Sequence, residues 1–215
     1  MKIAIMGSGR VGGALTRAWS AKGHTILLGV RDPASDHARH LAMSTEVKPM
    51  TPKDAAAAGD VIVLALPWNA AETLISGLGD LTGKIIIDCM NPITMGPQGM
   101  ALERGHTTSG GETVQAWLRK ARVVKTLNQV GAEIMASAHD MPVAPVMFMA
   151  GEDQDAKQIV HDLLSDLGFE PLDAGGIEKA RLLEPFALVW INQALARGHG
   201  RDWAFAAVRR PTKET

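Results

Sequence analysis

Residues 3–31 read IAIMGSGRVGGALTRAWSAKGHTILLGVR, and this stretch decides the fold. An apolar strand at residues 3–6 leads into a glycine-rich turn, a helix follows to Lys22, and a second strand spans residues 25–28. This is a βαβ unit whose first turn has the spacing G-x-G-x-x-G. In such a unit the backbone of the turn and the N-terminus of the helix approach a pyrophosphate. We therefore predict that a dinucleotide binds at Gly7, Ser8, Gly9, Arg10, Val11 and Gly12; a purely structural glycine turn is the alternative.

The end of the second strand predicts which dinucleotide binds. NAD sites usually have an acidic residue here for the ribose 2′-hydroxyl, whereas NADP sites have a cation for the 2′-phosphate. This chain has Gly29-Val30-Arg31-Asp32. Because the Arg31 guanidinium is a planar fork that fits phosphate oxygens, we predict NADP(H) as the cofactor. The alternative is a solvated Arg31 paired with Asp32.

The composition excludes several classes of function. The 215 residues are 46% hydrophobic and carry 22 basic against 23 acidic side chains, so no basic excess indicates nucleic acid or an anionic membrane as a partner. No apolar run is long enough to span a membrane and no signal peptide precedes the first strand, so we expect a cytoplasmic protein. The sequence has no tyrosine, which excludes reductase mechanisms that use a Tyr-Lys proton donor.

No metal site is expected. The single cysteine, Cys89, can form neither an internal disulfide nor a cysteine-based metal site. His37 and His40 lie one turn apart on a short predicted helix at residues 34–43, but no third ligand accompanies them. A solvated helix face is therefore the favoured interpretation of this pair.

Several later strands end in residues suited to a ligand. The apolar run at residues 61–66 ends in Leu66-Pro67-Trp68, and ligands of doubly wound sheets lie beyond the carboxyl ends of the strands. We therefore predict that Leu66, Pro67 and Trp68 line the cofactor groove. Asn91 and Pro92 follow the strand at residues 84–88, and Asn128 follows the strand at residues 122–126, so both amides are expected where nicotinamide and acceptor meet. A cap on the helix that starts near Gly131 is an equal alternative for Asn128.

The whole pattern predicts an α/β fold of the Rossmann type. We expect a doubly wound, mostly parallel sheet in an NADP-binding domain at residues 1–140, with a third strand at residues 45–47. Residues 92–111 show no period and predict a loop that walls the acceptor pocket.

Residues 141–215 predict a small α/β unit with a helical extension, which comprises helices at residues 177–183, 185–196 and 201–210. Because the segment 185–196 is apolar around much of its circumference, we expect a homodimer in which this domain supplies the contact and part of the acceptor pocket.

Motifs along nearly the whole chain resemble the coenzyme F420-dependent NADP oxidoreductase family. They are Gly7-Ser8-Gly9-Arg10-Val11-Gly12, Gly29-x-Arg31, Leu66-Pro67-Trp68, Asp88-x-x-Asn91-Pro92, Val123-Val124-Lys125-x-x-Asn128, Pro171-Leu172-Asp173-Ala174-Gly175 and Ala180-Arg181-x-x-Glu184. The N-terminal motifs are also similar to the reductase domain of the STEAP metalloreductases. Val30 stands where many members have Ser or Thr, and Asn128 stands where the archaeal enzymes have His.

The resemblance implies hydride exchange between NADP(H) and a deazaflavin, coenzyme F420, or a flavin as the small-molecule acceptor. By position it implies that Ser8 to Val11 meet the pyrophosphate, that Arg31 meets the 2′-phosphate and that Leu66 and Pro67 meet the nucleotide. Asn128 would orient a ring. Two other functions stay open at this point. One is an NADPH-dependent imine or carbonyl reductase with Lys125, His106 or water as its proton donor, and the other is a non-catalytic NADPH-binding redox sensor.

Overall fold

The computed structural model describes residues 1–43, 46–97 and 99–210. Within these ranges the strands are β1 (Lys2–Met6), β2 (Thr25–Gly29), β3 (Val47–Met50), β4 (Val61–Leu64), β5 (Ile85–Asp88), β6 (Ile93–Gly96), β7 (Gly99–Leu102), β8 (Arg122–Lys125), β9 (Val146–Ala150) and β10 (Glu170–Gly175). The α-helices are α1 (Arg10–Ala21), α2 (Asp36–Leu41), α3 (Pro52–Ala58), α4 (Ala71–Ser76), α5 (Gly110–Trp117), α6 (Ala132–Ser137), α7 (Gln154–Asp166) and α8 (Ala180–Ile191). None of these helices is long and apolar enough to cross a membrane.

Eight strands form one sheet in the order β10-β9-β8-β5-β4-β1-β2-β3. Six of these strands, β3, β2, β1, β4, β5 and β8 in that order across the sheet, pair in parallel, and this order is that of the dinucleotide-binding fold. The predicted fold class is therefore confirmed. Strand β9 pairs with β8 in antiparallel fashion between Lys125 and Ala150, and β10 pairs with β9 in parallel. The sheet thus runs through both of the predicted domains.

The sheet has an apolar core on each face. Ile3 and Ile5 of β1 belong to one core, whereas Ala4 and Met6 belong to the other, because successive side chains of a strand point to opposite faces. This two-sided burial explains why the central strands are continuous apolar runs. Trp19 of α1 is buried in the first core, where its Nε1 donates to the Leu163 carbonyl of α7 at 3.0 Å.

The structure corrects the irregular loop predicted at residues 92–111. Strands β6 and β7 form an antiparallel hairpin there, with Met95 opposite Met100. The β6 and β7 segments, ITMG and GMAL, have only four residues each, so they are too short for a periodic pattern to reveal the hairpin. The third strand begins at Val47, and the predicted residue 45 lies outside the described residues.

The helical extension also differs from the prediction. The segments predicted on either side of Glu184 form one helix, α8, which contains Pro185 in its second turn. Leu183, Glu184 and Ala187 are buried on both sides of the proline, and this packing keeps the helix continuous past Pro185. The helix predicted at residues 201–210 is wrong, because this segment has no helical structure and its Phe205 carbonyl accepts from the Val146 amide at 2.9 Å.

Candidate active site

A groove of about 660 Å³ opens at the carboxyl ends of β1, β2 and β4. The structure brings together six of the predicted cofactor residues in its lining, which are Gly7, Ser8, Gly9, Arg31, Leu66 and Pro67. The outer wall also contains Pro52, Ala70, Thr73 and Leu74, which the sequence patterns did not indicate. These residues lie at or near α3 and α4. The sequence does not indicate that these helices face the groove, because this depends on how the strands beside them are ordered in the sheet.

The N-terminus of α1 is left free to bind an anion. Side chains cap four of the other α-helices named above, since Ser35, Thr51, Ser109 and Asp153 accept from the first turns of α2, α3, α5 and α7. Helix α1 instead begins after Gly9, has no side-chain cap and has no acidic residue in its first turn. Its first backbone N–H groups and the positive end of its dipole therefore remain available to a phosphate.

The glycines of the turn divide into two kinds. A Cβ at Gly7 would lie 2.4 Å from the Ala65 carbonyl oxygen, and a Cβ at Gly12 would lie 1.9 Å from the Gly7 carbonyl oxygen. Gly7 also has φ +109°, which side chains disfavour. A Cβ at Gly9, by contrast, would meet no atom within 4 Å. Gly7 and Gly12 thus permit the fold, whereas Gly9 leaves open space at the helix N-terminus, which fits a pyrophosphate.

Arg31 is exposed at the edge of this groove and is not paired with Asp32. The Asp32 carboxylate instead accepts from the Ala34 amide at 2.9 Å, and no ion pair of Arg31 is found among the described residues. The guanidinium is therefore free to bind a phosphate.

His37 also reaches the turn, where its Nε2 donates to the Ser8 carbonyl at 2.7 Å. No cluster of His, Cys, Asp or Glu suited to a metal lies in the described ranges.

Three predicted cofactor residues have side chains engaged elsewhere. Arg10 pairs with Glu133 of α6. The Trp68 indole donates to Glu103 at 3.1 Å and stacks on Trp117 at 5.6 Å between ring centroids, so it does not line the groove. Pro92 is buried against Gly110. Trp117 and Gly110 come from α5, far along the chain, so the sequence could not reveal these partners.

Asn91 and Asn128 lie together at the ends of the adjacent strands β5 and β8. The Asn128 Nδ2 donates to Asn91 Oδ1 at 2.9 Å, and the Asn91 Nδ2 donates to the Asn128 carbonyl at 2.8 Å. The alternative that Asn128 caps a helix is wrong, because α6 has Gly131 as its N-cap and no side-chain cap. Both amides therefore lie at the strand ends, as expected for the region where nicotinamide and acceptor would meet.

A buried ion cluster of Lys125, Asp88 and Glu184 lies at the ends of β5 and β8, next to the two amides. Lys125 Nζ lies 3.1 Å from Asp88 Oδ2 and 3.0 Å from Glu184 Oε1, and it also donates to the Met90 carbonyl. The Glu184 carboxylate accepts from the amides of Gly110 and Gly111 at the start of α5. The sequence motifs contained Glu184 but gave no sign of its partners.

The cluster rules out Lys125 as a proton donor to substrate. Its ammonium group is fully buried and its hydrogens are directed to protein oxygens. Burial alone lowers the pKa of Lys125, but the carboxylates of Asp88 and Glu184 outweigh burial and raise this pKa above its ordinary value. An inaccessible lysine whose protonated form is stabilised by two buried carboxylates has a structural role.

Known proteins are similar to this one over most of the chain. Residues 2–92 match a family described as NADP oxidoreductase, coenzyme F420-dependent. The F420-dependent NADP reductase of Methanocaldococcus jannaschii is 29% identical over 197 residues, which are 86% of this chain and 88% of that protein. A crystal structure of a candidate F420-dependent NADP reductase from Arthrobacter sp. FB24 is 30% identical, covers 97% of this chain and 100% of its own, and superposes with a TM-score of 0.88. The metalloreductase STEAP3 of Rattus norvegicus is 26% identical over 87% of this chain, which corresponds to 36% of that protein.

Proposed function

This chain belongs to the coenzyme F420-dependent NADP oxidoreductase family, and on that premise we propose that it exchanges hydride between NADP(H) and a deazaflavin, coenzyme F420, or a flavin. One observation carries the proposal: the uncapped N-terminus of α1 and the unpaired Arg31 line a single groove at the carboxyl ends of the strands. A groove with these two anion-binding features suits a dinucleotide with an additional 2′-phosphate.

The protein's own part in this reaction is binding and orientation. The backbone of residues 8–11 would hold the pyrophosphate, Arg31 the 2′-phosphate, and Leu66 and Pro67 the nucleotide. NADP(H), when bound, supplies the hydride chemistry. Transfer between two stacked rings requires their alignment and the exclusion of water more than a protein acid or base. A site with two hydrogen-bonded amides and with Lys125 sequestered below it suits that requirement.

A comparison of acceptors tests the proposed function. NADPH oxidation is followed at 340 nm with coenzyme F420, FMN and FAD, each in excess. We expect steady turnover with at least one of the three. Tight NADPH binding without turnover would contradict the proposal and favour a redox sensor, and turnover restricted to imines or carbonyl compounds would favour the corresponding reductase.

The Arg31→Ala substitution should weaken NADPH binding by about 1.5–3 kcal/mol, because a hydrogen-bonded charge partner of the 2′-phosphate is lost. NADH, which lacks this phosphate, should bind the variant almost as it binds the unaltered protein. Titration of both nucleotides by fluorescence measures the effect. Arg39→Ala is a matched control, because Arg39 is an exposed arginine of α2 that pairs with Asp36 instead. Equal losses for NADPH and NADH would refute the 2′-phosphate assignment.

We propose further that the protein works as a cytoplasmic homodimer that associates through α8 and the π-helical turn Asn192–Ala196 that follows it. Leu182 and Val189 lie two turns apart on one side of α8 and are 64% and 52% exposed, and Leu195 of the following turn is 49% exposed, so this region leaves large apolar side chains uncovered. Sedimentation velocity should show two associated chains at micromolar concentration, and the double substitution Leu182→Asp and Val189→Asp should yield single chains. A monomeric unaltered protein would contradict this assembly.

A further inference from the structure

Gln129 forms a two-point hydrogen bond with the backbone of β9 that fixes the orientation of its amide. The Phe148 N–H donates to Gln129 Oε1 at 3.1 Å, and Gln129 Nε2 donates to the Phe148 carbonyl at 2.9 Å. A backbone N–H can only donate and a backbone carbonyl can only accept. The oxygen and nitrogen of the Gln129 side chain therefore cannot exchange places without the loss of both bonds.

This orientation is passed along a relay of three amides. The second N–H of Gln129 donates to Asn128 Oδ1 at 2.9 Å, so the nitrogen of Asn128 must face the other way. That nitrogen donates to Asn91 Oδ1 at 2.9 Å and to the Leu183 carbonyl at 3.3 Å. Asn91 in turn donates one N–H to the Asn128 carbonyl at 2.8 Å. Every amide of the relay has its donor and acceptor sides determined by a backbone group.

The relay ends in one uncommitted donor. Asn128 and Gln129 are 4% and 1% exposed and have both of their N–H groups engaged, whereas Asn91 is half-buried. The second N–H of Asn91 has no partner among the described residues. Because the Asn91 oxygen is already occupied by Asn128, the relay leaves a donor, and not an acceptor, available at the end of β5.

We propose that Asn91 donates this N–H to a carbonyl oxygen of a bound ring, and that Gln129 is the positioning residue that enforces the donor orientation. The carbonyl belongs either to the nicotinamide carboxamide or to the ring of the acceptor. The inference rests on the proposed function for the presence of those rings, and it adds the chemical group that the protein offers them.

The backbone beside the relay supports a site built for this purpose. Leu127 is buried and has φ +55°, a left-handed conformation that is unfavourable for a leucine. This conformation lies between Thr126, which donates to the Phe148 carbonyl at 2.9 Å, and Asn128. Strained residues that the surrounding structure holds in place cluster at binding sites.

A matched pair of glutamine variants separates positioning from stability. Gln115 makes the same kind of contacts at the opposite end of β8, where its Nε2 donates to the carbonyls of Leu118 and Ala121 and its Oε1 accepts from the Val123 amide. Gln115→Met therefore removes three such backbone contacts from a half-buried position and controls for the general cost of losing them. At a temperature where circular dichroism shows both variants folded, the single-turnover rate of NADPH oxidation by coenzyme F420 or FMN should fall at least about tenfold in Gln129→Met and stay within about twofold in Gln115→Met. Equal slowing of the two would overturn the proposal.

Substitutions of Asn91 test the donor itself and remain informative if Gln129→Met does not fold. Asn91→Asp keeps the shape and the accepting oxygen, but an ionised aspartate loses both N–H groups, the free one and the one that donates to the Asn128 carbonyl, so it should slow hydride transfer at least as much as Asn91→Ala. Full activity of Asn91→Asp would contradict the proposal, because an aspartate cannot donate.

Binding of thionicotinamide-NADPH, whose carboxamide oxygen is replaced by sulfur, identifies the ring and needs no turnover. If Asn91 contacts the nicotinamide, the preference of the unaltered protein for NADPH over this analogue should fall about threefold to tenfold in Asn91→Ala. If that preference is unchanged and the KM for FMN or coenzyme F420 rises instead, the acceptor ring is the partner. No change in either quantity overturns the proposal. A protein that reduces no flavin or deazaflavin would refute the proposed function, while the nucleotide comparison would still decide the role of Asn91.

Discussion

The Lys125→Met substitution should lower the free energy of unfolding by about 3–5 kcal/mol. Lys125 lies between the carboxylates of Asp88 and Glu184, and the three side chains are at most 1% exposed. Methionine fills a similar volume but leaves two buried negative charges without a counter-charge, and an uncompensated buried charge is among the most destabilising defects in a protein. Urea unfolding followed by circular dichroism measures the loss.

Lys157→Met is the matched control for this prediction. Lys157 is also nearly buried and pairs with Asp173 at 2.7 Å, but the Asp173 side chain is 43% exposed and stays hydrated when its partner is removed. The control should therefore lose only about 1 kcal/mol. Similar losses in the two variants would show that the burial of the cluster adds nothing to its contribution to the free energy of unfolding.

The same cluster predicts a dependence of stability on alkaline pH. The pKa of Lys125 in the folded protein lies above its ordinary value, because Asp88 and Glu184 outweigh the opposing effect of burial. A raised folded-state pKa means that the protonated form is favoured by folding. Its contribution is complete below the unfolded pKa of about 10.4 and is lost as the pH rises through the folded-state pKa. Lys125→Met should lack this component when unfolding is measured from pH 8 upward.

The N-terminal half of the fold could be predicted because its signals are local. The turn at Gly7, the uncapped start of α1 and the apolar runs of β4 and β5 each depend on neighbours within a few residues. The doubly wound arrangement then places the ends of these strands at one edge. This is why residues as distant as Ser8, Arg31 and Leu66 could be assigned to one groove before the structure was known.

The second half of the site depends on contacts between distant segments. Nothing near Lys125 indicates that its charge is met by Glu184, and nothing near Gln129 indicates that its amide bonds to Phe148. Local signals also misled where tertiary packing opposed them. Pro185 suggested a helix start, yet the buried neighbours of α8 carry the helix through it. Trp68 follows a strand at the groove edge, yet Trp117 draws its ring away.

The Gly12→Ala substitution should destabilise the protein by at least about 3 kcal/mol. Its methyl group would lie 1.9 Å from the Gly7 carbonyl oxygen, which belongs to the turn itself, so α1 would have to move away from the sheet. Helix α1 carries the buried Trp19, and this displacement would open the core around it. Urea unfolding of the variant measures the loss, and a stability equal to that of the unaltered protein would show that the turn can relax around the methyl group.

Gly9→Ala should weaken NADPH binding and leave stability almost unchanged. Together with Gly12→Ala it therefore tests which glycines of the turn serve the fold and which serve the ligand. A methyl group at Gly9 meets no protein atom within 4 Å, and the backbone there has φ −70°, which alanine adopts readily. Stability should change by about 1 kcal/mol or less. NADPH binding should nevertheless weaken at least about tenfold, because the methyl group occupies the space through which a pyrophosphate approaches the N–H groups of α1. Fluorescence titration of NADPH measures this effect, and unchanged affinity in the stable Gly9→Ala protein would mean that the phosphates do not lie against this turn.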